Sequence, residues 1–337
     1  MICPLPFTHT HVYCHNGLDI VAFACCPVDL AKPFGTVDED SPFEDVWNSE
    51  QARSIRRMLL RGDYSLCNLN VCATKGRYIS SVDFLEEHSV EYSEAPSAPV
   101  IVKFCHDKEC NIHCTMCRDS RIINSDHKLA FLNSKIDSVF LPMVKNAKAV
   151  YMAGDGDPFF SRHYRTLIKR IRAVYPDKLF LLHTNGQLCN EKHCRELDLL
   201  SNIHSVIVSI NAARENTYER IMCGARWKTL IKNLDFLLAC REKGLLKKIF
   251  FSFVIQKSNY KEMAEFSEWA GSMDIEVRFT RRYRDKNTLH YDDEVTIFDE
   301  KNPDFKEFAH MLQHPALKTP LCWLDPESMS YLKHACK

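Results

Sequence analysis

From about residue 99 short apolar runs alternate with helical stretches, and this alternation limits the possible folds more than any other feature of the chain. The runs are PVIVKF (99–104), AKAVYMAG (147–154), KLFLLHTNG (178–186), HSVIVSINA (204–212), KKIFFSFVIQ (247–256) and DIEVRFTRR (274–282). Continuous runs rich in Val, Ile and Phe, separated by amphipathic stretches such as YRTLIKRIRAVY and WKTLIKNLDFLLACREKG, mark buried parallel strands with crossover helices. Six such β/α units predict an α/β fold, either an open doubly wound sheet or a partial (β/α)6 barrel, and periodicity does not separate the two. In both, the residues that end each strand gather at one rim, where such folds place their sites. The segments at that rim are CHDKEC, GDGDP, TNG, SINA, QKSN and RRYR.

Residues 1–98 lack the alternation and carry Cys3, Cys14, Cys25, Cys26, Cys67 and Cys72. SPFEDVW reads as a helix start, with Ser41 as N-cap, Pro42 at the first helical position and Glu44 closing a capping box. A second helix, SEQARSIRRMLLRG, is expected to stop at Gly62, and EYSEAPSAP (91–99) reads as a linker. The expected divisions are therefore 1–98, a barrel over 99–285, and an extension over 286–337 packing on the barrel.

Charge and targeting signals narrow the partners. The 44 basic and 44 acidic residues balance, so no overall field draws the chain to nucleic acid or to a membrane surface. No apolar run has the length of a membrane span. MICPLPFTHTHVYC lacks a basic leading region, so a signal peptide is not expected. Sixteen cysteines without an export signal imply a reducing, cytoplasmic setting, in which they serve as ligands, nucleophiles or buried thiols.

CNIHCTMC sets Cys110, Cys114 and Cys117 at a C-x3-C-x2-C spacing directly after the first run. Three thiolates can form a zinc site completed by His106 or His113. They can equally hold a four-iron four-sulfur cluster whose fourth iron stays open.

The loop resembles that of the radical S-adenosylmethionine superfamily, in the CNLxCxMC form of the subgroup with SPASM-type auxiliary clusters; Met116, where many members carry an aromatic residue, suits that subgroup. The resemblance extends to AGDGDPFF, similar to the glycine-rich GGEP motif, and to Ser209-Ile210-Asn211-Ala212, similar to SIDG, with Asn and Ala in place of the acid and the glycine. The helix-Gly-helix stretch YERIMCGARWKTLIKNLDFL follows as it does in the family. What the resemblance implies is a [4Fe-4S] cluster on Cys110, Cys114 and Cys117 whose open iron is chelated by S-adenosylmethionine. The cosubstrate contacts it implies are Gly154, Gly156, Asp157, Pro158, Thr184, Asn185, Ser209 and Asn211. Asp157 would accept from the ammonium, and Val254 and Ile255, otherwise strand core, would touch adenine.

The front of the chain is similar to a SPASM-like auxiliary module: a leading cysteine, a Cys-Cys after a hairpin, a Gly-x-Val, a helix ending in Trp-Asn, and a closing pair. The ligands this implies for a closed auxiliary [4Fe-4S] cluster are Cys3, Cys25 or Cys26, Cys67 and Cys72, in a module that here precedes the barrel rather than following it. A structural zinc site and plain core cysteines are the alternatives. Cys14, Cys105, Cys189, Cys194, Cys223 and Cys240 read as buried thiols, and Cys322 and Cys336 as late ligands in reserve. Trp47 reads as core, and His9, His11 and His15 as surface or structural residues. Arg281, Arg282 and Arg284 could grip a phosphate or carboxylate of the substrate or form a solvated face.

The activity the resemblance implies is reductive cleavage of S-adenosylmethionine to a 5'-deoxyadenosyl radical, which abstracts hydrogen from a substrate C–H bond. Dehydrogenation of a small molecule or sugar is favoured, with the auxiliary cluster as electron acceptor and flavodoxin or ferredoxin as donor. Epimerisation by a thiol such as Cys105 or Cys223, and modification of a peptide, are the other enzymatic outcomes. A zinc or iron-sulfur binding module without catalysis is the alternative of another class.

Overall fold

The computed structural model describes residues 2–15, 18–27, 29–69, 72, 84–85, 88–152, 155–281, 294–325 and 328. It separates into two compact units, one of residues 1–109, 123–183 and 192–204, the other of residues 110–122, 184–191 and 205–337.

In the first unit, β1 (His9–His15) pairs in parallel with β4 (Ile101–Phe104), β4 with β6 (Ala149–Met152), and β6 with β7 (Leu179–Thr184). β2 (Asp19–Phe23) and β3 (Gly35–Thr36) extend the edge in antiparallel order. In the second unit, β8 (Ile203–Ser209), β10 (Lys248–Ile255), β11 (Glu276–Arg281) and β12 (Cys322–Leu324) pair in parallel, beside a ribbon of β5 (His113–Cys114) and β9 (Met222–Cys223). All six apolar runs are strands. The α/β class with a mostly parallel sheet is as the alternation predicts, and neither unit's strands close into a barrel.

The front segment departs from its sequence reading. Although 1–98 lacks β/α alternation, His9–His15 is a parallel neighbour of the first barrel strand, and the Cys105 N–H donates to Val12 O at 2.8 Å. Of the two readings open for the histidines, surface or structural, His9 and His11 are buried within the fold, whereas His15 is exposed.

Helix ends follow local chemistry. Ser49 Oγ accepts from the Ala52 N–H, starting the helix Glu50–Leu60, and Gly62 ends it in the left-handed region at φ 77°. Ser161 caps Arg162–Val174 in the same way. The expected Ser41 capping box does not form. Asp38 Oδ1 instead accepts the N–H groups of Asp40 and Ser41, and Pro42, extended at ψ 153°, becomes the cap of Phe43–Trp47. Trp47 is core, as expected: its indole N–H donates to Pro96 O at 2.8 Å, pinning the linker, and the Arg56 guanidinium lies 4.1 Å from its ring centre.

Candidate active site

In the second unit the loop of residues 110–122 is held at both ends. Cys110 N–H donates to Ile122 O, Thr115 N–H to Ile221 O, and β5 pairs Cys114 with Met222 on β9. Within it the Cys117 N–H donates back to Cys114 O at 2.8 Å, a turn that brings these two cysteines together. Burial, reinforced by the Cys117 and Cys110 sulfurs, pushes the Cys114 thiol well above its ordinary range.

Two of the three sulfurs carry N–H donors. Asn185 Nδ2 lies 3.5 Å from Cys110 Sγ, and Arg118 places Nε and Nη2 at 3.3 and 3.2 Å from Cys117 Sγ. A metal-bound cysteine sulfur accepts hydrogen bonds of this kind, so the loop fits a metal group held by its cysteines. His106 is not a spare ligand, because its Nε2 is 2.8 Å from His163 Nε2 in the buried interior of the first unit. Among the described residues no three His, Cys, Asp or Glu side chains converge on a single ion.

The predicted TNG segment builds the support for Cys110. Thr184 Oγ1 accepts from the Gly186 N–H and Asn185 Oδ1 from the Gln187 N–H, which leaves the Asn185 amide nitrogen directed at Cys110 Sγ and Asn111 Oδ1. Gly186 is required at φ 77°, and a Cβ there would stand 2.8 Å from Leu230 Cδ1. Asn233 Nδ2 ties down the Gly186 and Gln187 carbonyls.

Ser209 ends β8 half-buried. Asn211 occupies the left-handed region at φ 64°, which Asn tolerates better than most residues. Its carboxamide is engaged within the fold: Nδ2 donates to Met222 Sδ at 3.1 Å, and Oδ1 accepts from the Val254 N–H at 2.7 Å. Ile255 is fully buried strand core, and Val254 is half-buried.

In the first unit the GDGDP segment turns inward. Gly154 lies outside the described residues. A Cβ on Gly156 would stand 2.6 Å from Asp107 O and 2.7 Å from Glu109 O, so this glycine makes room for the chain's own backbone. Asp157 is buried and its Oδ1 accepts from the Phe159 and Phe160 N–H groups; Pro158 beside it is buried too.

Sequence reasoning missed the network beneath this segment. Glu109, fully buried, accepts from the Asn124 N–H at 2.7 Å, the Arg162 N–H at 2.9 Å and the Arg162 guanidinium at 2.9 Å. Asp107 accepts from Asn124 Nδ2 and from the Ser161 hydroxyl. The only signal was two acids in CHDKEC directly after an apolar run.

The front cysteines also gather in the first unit. Burial, then the charges of Asp29, Cys3, Cys26 and Cys72, raise the Cys25 thiol well above its ordinary range, and burial followed by Cys72 and Asp29 raises Cys67. Cys25 thus lies in the field of Cys3 and Cys72, and Cys67 in that of Cys72. Short backbone bonds bring them there: Cys67 N–H to Tyr64 O, Asn68 N–H to Asp29 O, and Cys72 N–H to Asn68 O. Cys26 is also half-buried, and the Tyr13 hydroxyl donates to its sulfur at 3.9 Å.

Of the remaining cysteines, Cys105, Cys189, Cys194 and Cys240 are buried as expected, whereas Cys14, Cys223 and Cys322 are half-buried and Cys336 lies outside the described residues. Arg281 lies with its guanidinium 4.7 Å from the Phe298 ring centre; Arg282 and Arg284 fall outside the described residues. No helix of the described residues is long and apolar enough to cross a membrane.

No family model matches the sequence. The chain is similar to the FeMo cofactor biosynthesis protein NifB of Methanocaldococcus jannaschii, 29% identical over 117 residues that make up 31% of this chain and 37% of the relative. It is similar to Molybdenum cofactor biosynthesis protein 1 of Dictyostelium discoideum, 22% identical over 220 residues, 62% of this chain and 34% of the relative. The chain thus spans little more than a third of these relatives' length. Among solved structures, Streptococcus suis SuiB bound to S-adenosylmethionine aligns with 88% of this chain and 65% of its own, at 15% identity and a TM-score of 0.42.

Proposed function

We infer that this chain is a radical S-adenosylmethionine enzyme, which cleaves S-adenosylmethionine reductively and oxidises a small molecule or sugar. Cys110, Cys114 and Cys117 hold a [4Fe-4S] cluster, which with bound S-adenosylmethionine supplies a 5'-deoxyadenosyl radical. The observation that carries this reading is the support of the cysteine loop by the ends of neighbouring strands, with the Asn185 amide on Cys110 Sγ and the Arg118 guanidinium on Cys117 Sγ.

Thr184, Asn185, Ser209 and Asn211 of the second unit are the proposed surroundings of S-adenosylmethionine, and the resemblance adds Gly154, Gly156, Asp157 and Pro158 as proposed contacts. Asn185 and Asn211 act through position, since their side chains already brace the loop and the strand ends. Cys3, Cys25, Cys67 and Cys72 are the proposed ligands of an auxiliary [4Fe-4S] cluster. The favoured outcome is dehydrogenation in a reducing cytoplasm, with flavodoxin or ferredoxin as electron donor and without nucleic acid or membrane partners.

Anaerobically reconstituted protein should bind about eight irons and form 5'-deoxyadenosine with a reductant. Replacing Cys110, Cys114 and Cys117 by Ala should leave about four irons and no 5'-deoxyadenosine. Protein purified without oxygen that holds zinc and no iron ends the reading.

Epimerisation is the second reading. It draws on Cys223, half-buried on β9 and paired in register with His113 beside the cysteine loop, as a hydrogen-atom donor. Turnover in heavy water distinguishes the two. An epimerised product gains one deuterium and keeps its composition, whereas a dehydrogenated product is two mass units lighter.

A further inference from the structure

The two faces of the first unit's parallel strands differ in kind. On one face Val12, Val102, Phe104, Val150, Met152, Phe180 and Leu182 are apolar and buried, as a helix-covered face requires, with the buried Thr10 as its polar member. The other face becomes polar toward the C-terminal strand ends, where α/β folds bind their ligands. Its lowest layer is Ile101, Ala149 and Leu179 with the buried His9 beside Ile101. Above it, the register sets His11, Lys103, Tyr151 and Leu181 side by side across four strands, and two residues further along the chain from His11, Lys103 and Leu181 come Tyr13, Cys105 and His183. The upper layers are not sealed, because Lys103, Tyr13 and His183 are each half-buried.

Geometry joins these residues into one group. Lys103 Nζ lies 4.6 Å from the Tyr151 ring centre, and Tyr151 Oη lies 3.4 Å from His183 Nδ1. Asp29 and Asp155 stand at the margin: the charge of Lys103 acts on Asp29, and that of Asp155 on Tyr13 and Cys105. A cation with acids near it does not make an anion trap. An ammonium, carboxylates, phenols and an imidazole provide donors and acceptors in alternation, and the Tyr151 ring adds an apolar surface. That combination matches a ligand with several hydroxyl groups on a compact apolar skeleton.

We propose that this face is the substrate site and that it takes a hydroxylated small molecule of the sugar class, contacted by Lys103, Tyr151 and His183. The proposal rests on the activity reading above for the word substrate, but binding can be tested without turnover. Saturation-transfer NMR and calorimetry on the anaerobically reconstituted full chain would use D-glucose, D-glucosamine and D-glucose 6-phosphate as probes, with triglycine as the peptide comparison.

At least one sugar probe should bind, and triglycine should not. Tyr151→Phe, which keeps the ring and loses only the hydroxyl, and His183→Gln should each weaken the bound sugar about fivefold to tenfold, the loss of one neutral hydrogen bond. Lys103→Met should weaken it about tenfold or more, with circular dichroism confirming the fold. Binding of triglycine without any sugar, binding of none of the four, or variants that bind as the unmodified protein does would each overturn the proposal. Formation of 5'-deoxyadenosine in the same preparation is scored separately: if it fails while a sugar binds, the activity reading falls and the site stands.

Discussion

Asn185 directs its amide nitrogen at Cys110 Sγ from 3.5 Å because its own oxygen is held by the Gln187 N–H at 2.9 Å. The amide cannot turn over without losing that bond, so the donor is fixed toward the sulfur. Hydrogen bonds to cluster sulfurs are one of the levers that set reduction potential, and a donor favours the more negative, reduced state. Asn185→Leu should therefore lower the potential of the cluster on Cys110, Cys114 and Cys117 while leaving iron content unchanged. Potentiometry followed by electron paramagnetic resonance reads this directly, and an unmoved potential would reduce Asn185 to a loop brace.

Gly156 and Gly62 predict opposite origins for the cost of one methyl group. At Gly156 the methyl would meet backbone oxygens of Asp107 and Glu109, which cannot swing away, so Gly156→Ala should cost about 1–3 kcal/mol as overpacking does. At Gly62 nothing lies within 4 Å, and only the left-handed backbone resists, at about 1–2 kcal/mol. Urea unfolding should show both losses. Only Gly156→Ala should also disturb binding of S-adenosylmethionine, because it displaces the GDGDP turn.

Stability should fall as the medium is acidified from pH 7 to 5. Burial, with Lys103 beside it, lowers His9 to about 3; burial lowers His163 to about 4 and holds His11 and His106 well below the ordinary range. Each is depressed in the folded chain relative to about 6.5 unfolded, so below that pH the unfolded state takes up protons that the folded state refuses. Each contributes up to about 1.4 kcal/mol per pH unit in that window. Asp29, raised to about 6 by burial, works the other way, one group against four. Thermal melts of the metal-free protein should show the slope. It should flatten in His11→Leu, which removes a buried Nδ1 that makes no hydrogen bond; an unchanged slope would exclude His11 as a source.

What could be read in the sequence was what adjacent residues decide. The six strands were legible because each is a continuous apolar run, and the stop at Gly62 because its chemistry lies within one turn of the helix. The pairing of His9–His15 with Ile101–Phe104 was not, since it joins segments some ninety residues apart and β1 carries three histidines where an apolar run was sought. The site divides along the same line. CNIHCTMC and TNG declared themselves by spacing. Glu109 did not, because its partners Asn124 and Arg162 become neighbours only after folding.

Glu109 tests how far that hidden network matters. Glu109→Gln keeps the shape and removes the charge that gathers the Arg162 guanidinium and two N–H groups. Because Arg162 is partly exposed and screened, the expected loss is that of the charge-assisted bonds, about 1.5–3 kcal/mol, rather than that of a fully buried pair. A shift in denaturation midpoint of that size without loss of iron would assign Glu109 to the scaffold.

Cys25 and Cys26, between which the sequence left the choice open, differ in what each sulfur faces. The Cys25 thiol feels Cys3 and Cys72, two of the other proposed ligands, whereas the Cys26 sulfur receives the Tyr13 hydroxyl and acts on Cys105. A closed four-thiolate cluster needs one of the two. Cys25→Ala should therefore reduce iron from about eight to about four per chain, and Cys26→Ala should leave it near eight. If the auxiliary cluster is the electron acceptor, Cys25→Ala should still form 5'-deoxyadenosine but little oxidised product, while Cys26→Ala should keep both. Equal iron loss in the two variants would mean that the pair shares the metal. Iron retained in Cys25→Ala but lost in Cys26→Ala would reverse the assignment and place Tyr13 in hydrogen-bond contact with a ligand sulfur.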